Sequence, residues 1–301
     1  LAEDILPGST GVIGTRLLLD RWLAAMPSLA ASLGHAGPLD MAKAIMTTDA
    51  FPKLSWAEVP VTGPADTKAT PVRVLGMAKG GGMICPNMAT MLAVILTDAA
   101  VEHAELSRMV KEAADKSFNR ITVDGDTSTN DTVFALANGA SGCKPKGKDL
   151  ARLAEAVAKV CEDLAGLIVQ DAEGGSKVIH IHVTGGGDDL QAELAARTVG
   201  HSPLVKTAFY GRDPNWGRIV AALGRSGAVF DPDQVSVTLA GVTLFAHGQP
   251  LDLDFDSLLA AALRRPEIQL DISLGTGAGE YTLKASDLTH EYVSINAEYR
   301  T

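Results

Sequence analysis

The sequence predicts an α/β protein with mixed or antiparallel sheets covered by helices. Strand-like runs over 72–78 and 91–97 stand on either side of a glycine-rich segment, and a helical pattern over 101–117 follows them directly. In the segment 150–169, apolar residues such as Leu153, Val157 and Leu164 recur every three to four positions, which is the period of a helix with one buried face. Helices that follow strands in this way cover the faces of a sheet.

The remaining elements follow from the same two periodicities, an apolar residue at every second position for strands and at every third or fourth for helices. Further helices are predicted over 16–33, with an interruption near Pro27, and over 189–197, 203–209, 216–223 and 256–264. Further strands are predicted over 121–124, 178–184, 235–245 with a turn at Gly241, 268–274, 280–284 and 292–296. A glycine-rich stretch at 185–189 predicts a boundary between a lobe over 1–184 and a smaller α/β lobe over 185–301.

The composition argues against several classes of protein. The 301 residues carry a formal net charge of −10, whereas a nucleic-acid or anionic-membrane surface calls for clustered lysine and arginine. No apolar run approaches the roughly 18 residues that a membrane span needs. The cysteines Cys85, Cys143 and Cys161 are odd in number and far apart, which argues against a disulfide framework and fits the cytoplasm.

The segment from Lys79 to Leu92, KGGGMICPNMATML, is the most informative part of the sequence. Three glycines allow the backbone to pass where side chains would clash, and the strand over 91–97 would fix the residue before it, Thr90. A threonine so placed could attack the carbonyl of Ala89 and become a new N-terminus that carries both a nucleophile and an amine base. The alternative is a tight loop before a buried strand. A phosphate loop is disfavoured because its Gly-Lys-Ser/Thr ending is absent.

Seven segments in one order resemble the ornithine acetyltransferase family, whose members are also called glutamate N-acetyltransferases or ArgJ proteins and serve arginine biosynthesis. The segments are STGVIG at 9–14, IMTTD at 45–49, MAKG to PNMATML at 77–92, SFNRITVDGD at 117–126, DAEG at 171–174, DPNWGR at 213–218 and INAEYRT at 295–301. The resemblance implies a layered fold of the N-terminal-nucleophile type, with a C-terminal tail that folds back over the active site. Because family members begin well before the Ser-Thr-Gly segment, we expect this chain to be part of a longer protein.

The resemblance also implies roles for individual residues. It makes Thr90 the nucleophile and puts a self-cleavage between Ala89 and Thr90, which gives an alpha chain over 1–89 and a beta chain over 90–301. Thr10 and Gly11 would form the oxyanion hole. Lys79 is the natural partner of the substrate carboxylate, and Glu173 of its cationic end. The residues implied to bind the substrate are Thr47, Lys79, Thr90, Glu173, Asn296 and Thr301.

The activity is implied in the same way. Acetyl would move from N2-acetyl-L-ornithine to L-glutamate through an acetyl-threonine, without a cofactor, although acetyl-CoA could serve as an alternative acetyl donor. The cleaved chains are expected to form a higher homo-oligomer of alpha–beta units, with no nucleic-acid or membrane partner. Two alternatives stay open. One is a self-processing N-terminal-threonine aminopeptidase or amidase, in which water replaces glutamate, and the other is a catalytically inactive binding relative.

Three other patterns favour structural roles. His180 and His182 lie on one face of a strand, but no third metal ligand is evident from the spacing, so no metal site is predicted. The acidic segment 124–131 lacks the bidentate glutamate at the twelfth position of a calcium loop, and we expect a structural turn close to the active site. Arg212 and Arg218 are expected to serve lobe packing.

Overall fold

Two β-sheets with helices packed on them form the protein, in a computed structural model that describes residues 5–61, 70–85 and 91–298. The strands are β1 (Lys53–Val61), β2 (Thr70–Lys79), β3 (Leu92–Thr97), β4 (Ile121–Thr122), β5 (Thr132–Ala137), β6 (Val178–Gly186), β7 (Ser236–Leu239), β8 (Val242–Ala246), β9 (Gln249–Pro250), β10 (Glu267–Ser273) and β11 (Gly279–Ser286). The helices are α1 (Leu19–Ala31), α2 (Pro38–Ala44), α3 (His103–Lys116), α4 (Lys148–Gln170), α5 (Asp189–His201), α6 (Pro203–Gly211), α7 (Trp216–Gly224), α8 (Phe255–Leu259) and α9 (His290–Glu298). The predicted α/β fold with mixed sheets covered by helices is confirmed.

The first sheet holds four strands in the order β1-β2-β3-β5. Its first three strands are antiparallel, with Lys79 of β2 opposite Leu92 of β3, whereas β3 and β5 are parallel. Helix α4 packs on β1 and β2 and buries the predicted apolar stripe. At the contact, a Cβ on Gly76 would lie 2.4 Å from Val160 Cγ1 and 2.7 Å from Leu164 Cδ1. The glycine therefore allows the helix and the sheet to approach closely.

The second sheet holds seven strands in the order β4-β11-β6-β10-β7-β8-β9 and mixes parallel with antiparallel pairs. Helix α5 packs on β6 and β11. One hydrophobic cluster ends at Val178 and a second begins at Ile179, so neighbouring residues of β6 belong to different cores. The lobe boundary between 184 and 185 stays a prediction.

Two predicted elements are wrong. The run 292–296 is not a strand but part of helix α9, whose start is capped by Thr289, because its Oγ1 accepts the N–H of Tyr292 at 3.3 Å. Helix α1 is not interrupted at Pro27. It buries no residue, so the carbonyl that loses its hydrogen bond at the proline faces solvent.

Four elements have no counterpart among the predictions: α2, β1, β5 and the short β9. Strand β1 contains Pro60, which argues against a strand from sequence alone. Among the described residues it pairs with β2 alone, at the edge of its sheet, where proline is tolerated. No helix within the described residues is long and apolar enough to span a membrane.

Candidate active site

A cavity of about 380 Å³ opens above the glycine-rich loop that follows β2. It brings together all the predicted site residues that the structure describes, from five separate parts of the chain: Thr10, Gly11, Thr47, Lys79, Glu173 and Asn296. Ala89, Thr90 and Thr301 lie outside the described residues. A larger cavity, of about 580 Å³, lies beside α4 and is lined by none of the predicted site residues.

The glycine-rich loop is shaped for close contact with the segment after α4. The N–H of Glu173 donates a 2.8 Å hydrogen bond to the carbonyl of Gly81. A Cβ on Gly82 would lie 2.2 Å from Glu173 Oε2, so glycine is needed there for the carboxylate to reach the loop. The next residue, Met83, adopts the left-handed conformation with φ of 53°, which is uncommon for a side chain of this size.

Asp124 holds this strained part of the loop. Its carboxylate accepts the N–H groups of Met83 at 2.7 Å and Ile84 at 3.0 Å, and the hydroxyl of Tyr292 donates to it at 3.3 Å. Burial raises the pKa of Asp124, and the backbone hydrogen bonds oppose that shift. The predicted structural turn therefore does lie at the cavity, and it joins the loop to helix α9.

Lys79 contributes the buried cation of the site. Only 2% of its surface is exposed, and its Nζ donates to Thr47 Oγ1 at 3.2 Å. Burial lowers the pKa of the ammonium group, whereas Asp49 and Asp131 oppose the shift. A buried ammonium group with a hydroxyl beside it is suited to hold a carboxylate that enters the cavity.

Behind Lys79, a buried ion triad fixes two walls of the cavity. Lys53 Nζ lies 2.5 Å from both Asp49 Oδ1 and Asp171 Oδ2. Asp49 also accepts the N–H groups of Gly80 at 2.7 Å and Thr47 at 3.1 Å. Although burial alone would raise it, the hydrogen bonds from Lys53, Gly80 and Thr47 hold the pKa of Asp49 below its usual value.

Sequence reasoning missed this triad. Lys53 and Asp171 are separated by 118 positions, and no local pattern links them. The only local signal is the spacing of four residues between Asp49 and Lys53.

Helix α9 covers the cavity from the C-terminal side. Asn296 Nδ2 donates to Glu173 Oε2 and to the carbonyl of Tyr292, both at 3.0 Å. The docking of this helix requires a glycine at 174, because a Cβ there would lie 2.4 Å from the backbone nitrogen of Tyr292 and φ is +63°. Glu173 thus faces the cavity with an amide donor on one of its oxygens.

Thr10 and Gly11 line the cavity from the N-terminal segment, in which the described residues before α1, from Ile5 on, form no helix or strand. Thr10 is half-buried and Gly11 is exposed. A Cβ on Gly11 would meet no atom within 4 Å, so its backbone faces open space. This wall of the cavity therefore carries a threonine hydroxyl and a glycine backbone, which are the kinds of donor that an oxyanion hole uses.

Two other groups of reactive side chains are not active centres. His180 contacts Glu267 at 3.0 Å at the surface, and no set of three or more potential metal ligands occurs among the described residues. Cys85 Sγ lies 3.4 Å from His201 Nε2. Burial raises the pKa of this thiol and lowers that of His201 to about 4, so a neutral thiol faces a neutral imidazole. That pair lacks the thiolate that a cysteine nucleophile needs.

The fold and the cavity define an α/β protein with a polar cavity whose lining side chains carry both signs of charge. The chain belongs to the ArgJ family, whose sequence profile matches residues 1–301. The family resemblance predicted from the seven segments is confirmed.

Relatives with the name arginine biosynthesis bifunctional protein ArgJ match over nearly the whole chain. The protein from Nitratidesulfovibrio vulgaris is 59% identical over 300 residues, which cover 100% of this chain and 75% of the relative. The protein from Chlorobaculum tepidum is 46% identical over 302 residues, with 100% and 73% covered. The crystal structure of the Bacillus halodurans protein matches with a TM-score of 0.67 and 36% identity, over 70% of this chain and 100% of that one.

Proposed function

We propose that this chain cleaves itself between Ala89 and Thr90 and then uses Thr90 to carry acetyl from N2-acetyl-L-ornithine to L-glutamate. An acetyltransferase of arginine biosynthesis is the enzyme that the sequence motifs predict, and the names of the relatives agree with it. The observation that carries the proposal is the single cavity shared by Thr10, Lys79 and Glu173, which come from distant parts of the chain.

In the cleavage step, Thr90 Oγ attacks the carbonyl carbon of Ala89. The C–O bond forms, the C–N bond to Thr90 breaks, and the hydroxyl proton ends on the departing nitrogen. Water then hydrolyses the ester, which frees the carboxyl group of Ala89 and the hydroxyl group of Thr90, whose α-amino group the first step has already released. An α-amine has a pKa of about 7.7–8, so part of it is neutral at neutral pH and able to act as a base.

In the transfer step, the Thr90 hydroxyl attacks the acetyl carbonyl of acetylornithine and passes its proton to the Thr90 amine. The Thr10 hydroxyl and the Gly11 N–H donate hydrogen bonds to the oxyanion. The loss of either donor would raise the activation free energy by about 2.7–4 kcal/mol. The intermediate then expels the N2 nitrogen of ornithine, which takes the proton and leaves acetyl on Thr90. Glutamate reverses these steps and leaves as N-acetylglutamate. We assign Lys79 to the substrate carboxylate and Glu173 to the cationic end of ornithine.

The direct test is intact-mass measurement of the purified protein. We expect two species, which divide the 31.3 kDa chain before Thr90. Thr90→Ala should leave one uncut species without activity, and Thr90→Ser should retain part of both reactions. A wild-type chain that stays whole, or a Thr90→Ala variant that is still cut and active, would contradict the proposal.

A second assay separates the transferase from the amidase. Acetylornithine is supplied with and without glutamate, and the products are identified. N-acetylglutamate that forms only with glutamate supports the transferase, whereas free acetate in its absence supports the amidase. Acetyl-CoA in place of acetylornithine tests the alternative donor.

We also propose a cytoplasmic enzyme that forms a homo-oligomer of alpha–beta units. Cys85, Cys143 and Cys161 are all free thiols, as in a reducing compartment. Light scattering of the cleaved protein tests the assembly, and a mass equal to one alpha–beta unit would contradict it.

A further inference from the structure

Asp131 is bonded to Met91, the residue that follows the proposed nucleophile in the sequence, and none of the roles above uses it. It precedes β5, which runs parallel to β3, with Thr132 opposite Leu92. Its Oδ1 accepts the backbone N–H of Met91, and the N–H of Thr132 donates to the carbonyl of Met91 at 2.9 Å. The Asp131 carboxyl group is therefore fixed next to the residue that follows Thr90.

The second oxygen of this carboxyl group has no visible purpose in the fold. Oδ2 of Asp131 is buried and has no hydrogen-bond partner within the part of the chain that the structure describes. A buried polar atom without a partner costs free energy. Burial also raises the pKa of Asp131 to about 7, opposed only by the Met91 N–H and by Lys79, the charged group that faces it. The hydrogen bond from Met91 uses only Oδ1, so it does not explain why a second carboxyl oxygen is buried here.

Covalent geometry brings one more group into reach. The α-nitrogen of residue 90 is separated from the amide nitrogen of Met91 by three bonds, so the two atoms are at most about 3.7 Å apart in any conformation. The Met91 nitrogen is itself hydrogen-bonded to Asp131 Oδ1. Asp131 therefore holds the nitrogen that follows, by three bonds, the one that the cleavage would release, and its second oxygen is left to accept a further hydrogen bond.

We propose that Asp131 is a positioning residue for the new N-terminus, whose α-amino group donates a hydrogen bond to Asp131 Oδ2. This inference rests on the proposed function. When Thr90 Oγ attacks the acetyl carbonyl, the C–O bond forms and the hydroxyl proton passes to the amine. The Asp131 carboxylate stabilises the resulting ammonium ion, which then gives the proton to the departing ornithine nitrogen. No other reactant is needed.

A carboxylate in this position has a predictable effect on titration. An opposite charge within about 4–6 Å shifts a pKa by about one to three units toward the charged form. Asp131 should therefore raise the pKa of the Thr90 amine. If the carboxylate is removed, that pKa falls and the amine is neutral at lower pH.

The test compares Asp131→Asn with Asp98→Asn. The asparagine at 131 keeps an oxygen that can accept the Met91 N–H, so the local fold is retained. Asp98 is a matched control because it accepts the N–H of Arg73 at 2.8 Å in the same sheet but does not line the cavity. Intact mass, thermal unfolding, kcat, KM and the pH profile of transfer are measured for both variants and the wild type.

For Asp131→Asn we expect a folded protein with kcat lowered about tenfold or more and KM for acetylornithine little changed. The acid limb of the pH profile should move down by about one unit. A second measurement does not depend on activity. The Thr90 amine is acylated with an N-hydroxysuccinimide ester at several pH values, and the added mass on the beta chain is measured. The midpoint of this labelling should move down by the same amount.

The outcomes separate the two proposals. If the wild type is cut before Thr90 and Asp131→Asn matches it in kcat and labelling midpoint, the role of Asp131 is overturned and the proposed function stands. If the wild type is not cut, both are overturned. A folded but uncut Asp131→Asn protein would support the assignment, since the nitrogen of residue 90 is the leaving group of the cleavage. Asp98→Asn should behave as the wild type throughout.

Discussion

Asn296 Nδ2 lies 3.0 Å from Glu173 Oε2, so helix α9 is hydrogen-bonded to the carboxylate proposed to hold the cationic end of acetylornithine. Asn296 itself is exposed. Its side chain therefore contributes little to folding, and its contact with Glu173 orients one wall of the cavity.

We expect Asn296→Ala to raise KM for acetylornithine about five- to tenfold, because the Glu173 carboxylate loses a hydrogen bond of about 1–1.5 kcal/mol that orients it. The melting temperature should hardly change. Ser294→Ala on the same helix is the control, since the Ser294 hydroxyl donates to the carbonyl of His290 within the helix. Steady-state kinetics with thermal unfolding check the prediction, and an unchanged KM would show that Asn296 does not orient Glu173.

Gly82→Ala should displace the Glu173 carboxylate without unfolding the loop. The new Cβ would lie 2.2 Å from Oε2 and 2.3 Å from Cδ of Glu173. These atoms are the end of a long side chain, which can rotate away from the loop. We expect KM for acetylornithine to rise about tenfold and the free energy of unfolding to change by less than about 1 kcal/mol. Gly187→Ala is the control, because a Cβ there meets no atom within 4 Å. A large loss of stability would mean that the backbone, not Glu173, yields.

Lys53→Met should destabilise the protein by about 3–5 kcal/mol, because it leaves Asp49 and Asp171 buried without their cation. The same change removes the support of Thr47 and Gly80, so activity should fall as well. Urea unfolding measures the loss. The control is Lys111→Met, which breaks an exposed pair with Asp115 and should leave the stability nearly unchanged. Equal losses in the two variants would contradict the importance of the triad.

His201 should make stability depend on pH between about 6.5 and 4. Burial lowers its pKa from 6.5 to about 4, so within this range the unfolded chain binds a proton that the folded protein does not. The contribution of His201 to the free energy of unfolding is therefore largest above pH 6.5. It decreases as the pH drops toward 4, by about 2 kcal/mol after allowance for solvent screening.

The measurement is urea unfolding of the wild type and of His201→Gln at several pH values. The variant should lose most of this slope. His103→Gln, which changes an exposed histidine, should retain it. A variant with the wild-type slope would assign the pH dependence to other groups.

The fold class could be predicted from the sequence because the apolar periodicity is strong where a helix or strand buries one face, as in α4. The prediction failed at 292–296, where the start of the helix depends on the hydroxyl of Thr289 rather than on apolar spacing. It failed at β1 because a proline is acceptable only on an edge strand, and no local signal reveals which strand is at the edge.

The residues of the candidate site could likewise be predicted only where a local motif marks them. The motifs selected Thr10, Lys79 and Glu173, which the structure brings to one cavity. They did not select Lys53 or Asp131, since each acts through partners that are remote in sequence. The partner of Lys53 is 118 positions away, and that of Asp131 is 40 positions away.

The pairing of β2 with β3 has a consequence for the cut protein. The proposed cleavage falls between these strands, yet their ladder runs from Val74 opposite Thr97 to Lys79 opposite Leu92. Release of the alpha chain would therefore require six residue pairs to separate and the centre of a four-stranded sheet to open. The two polypeptides should elute as one particle under native conditions and separate only in denaturant. Mixing alpha and beta chains made separately should not restore activity unless they fold together.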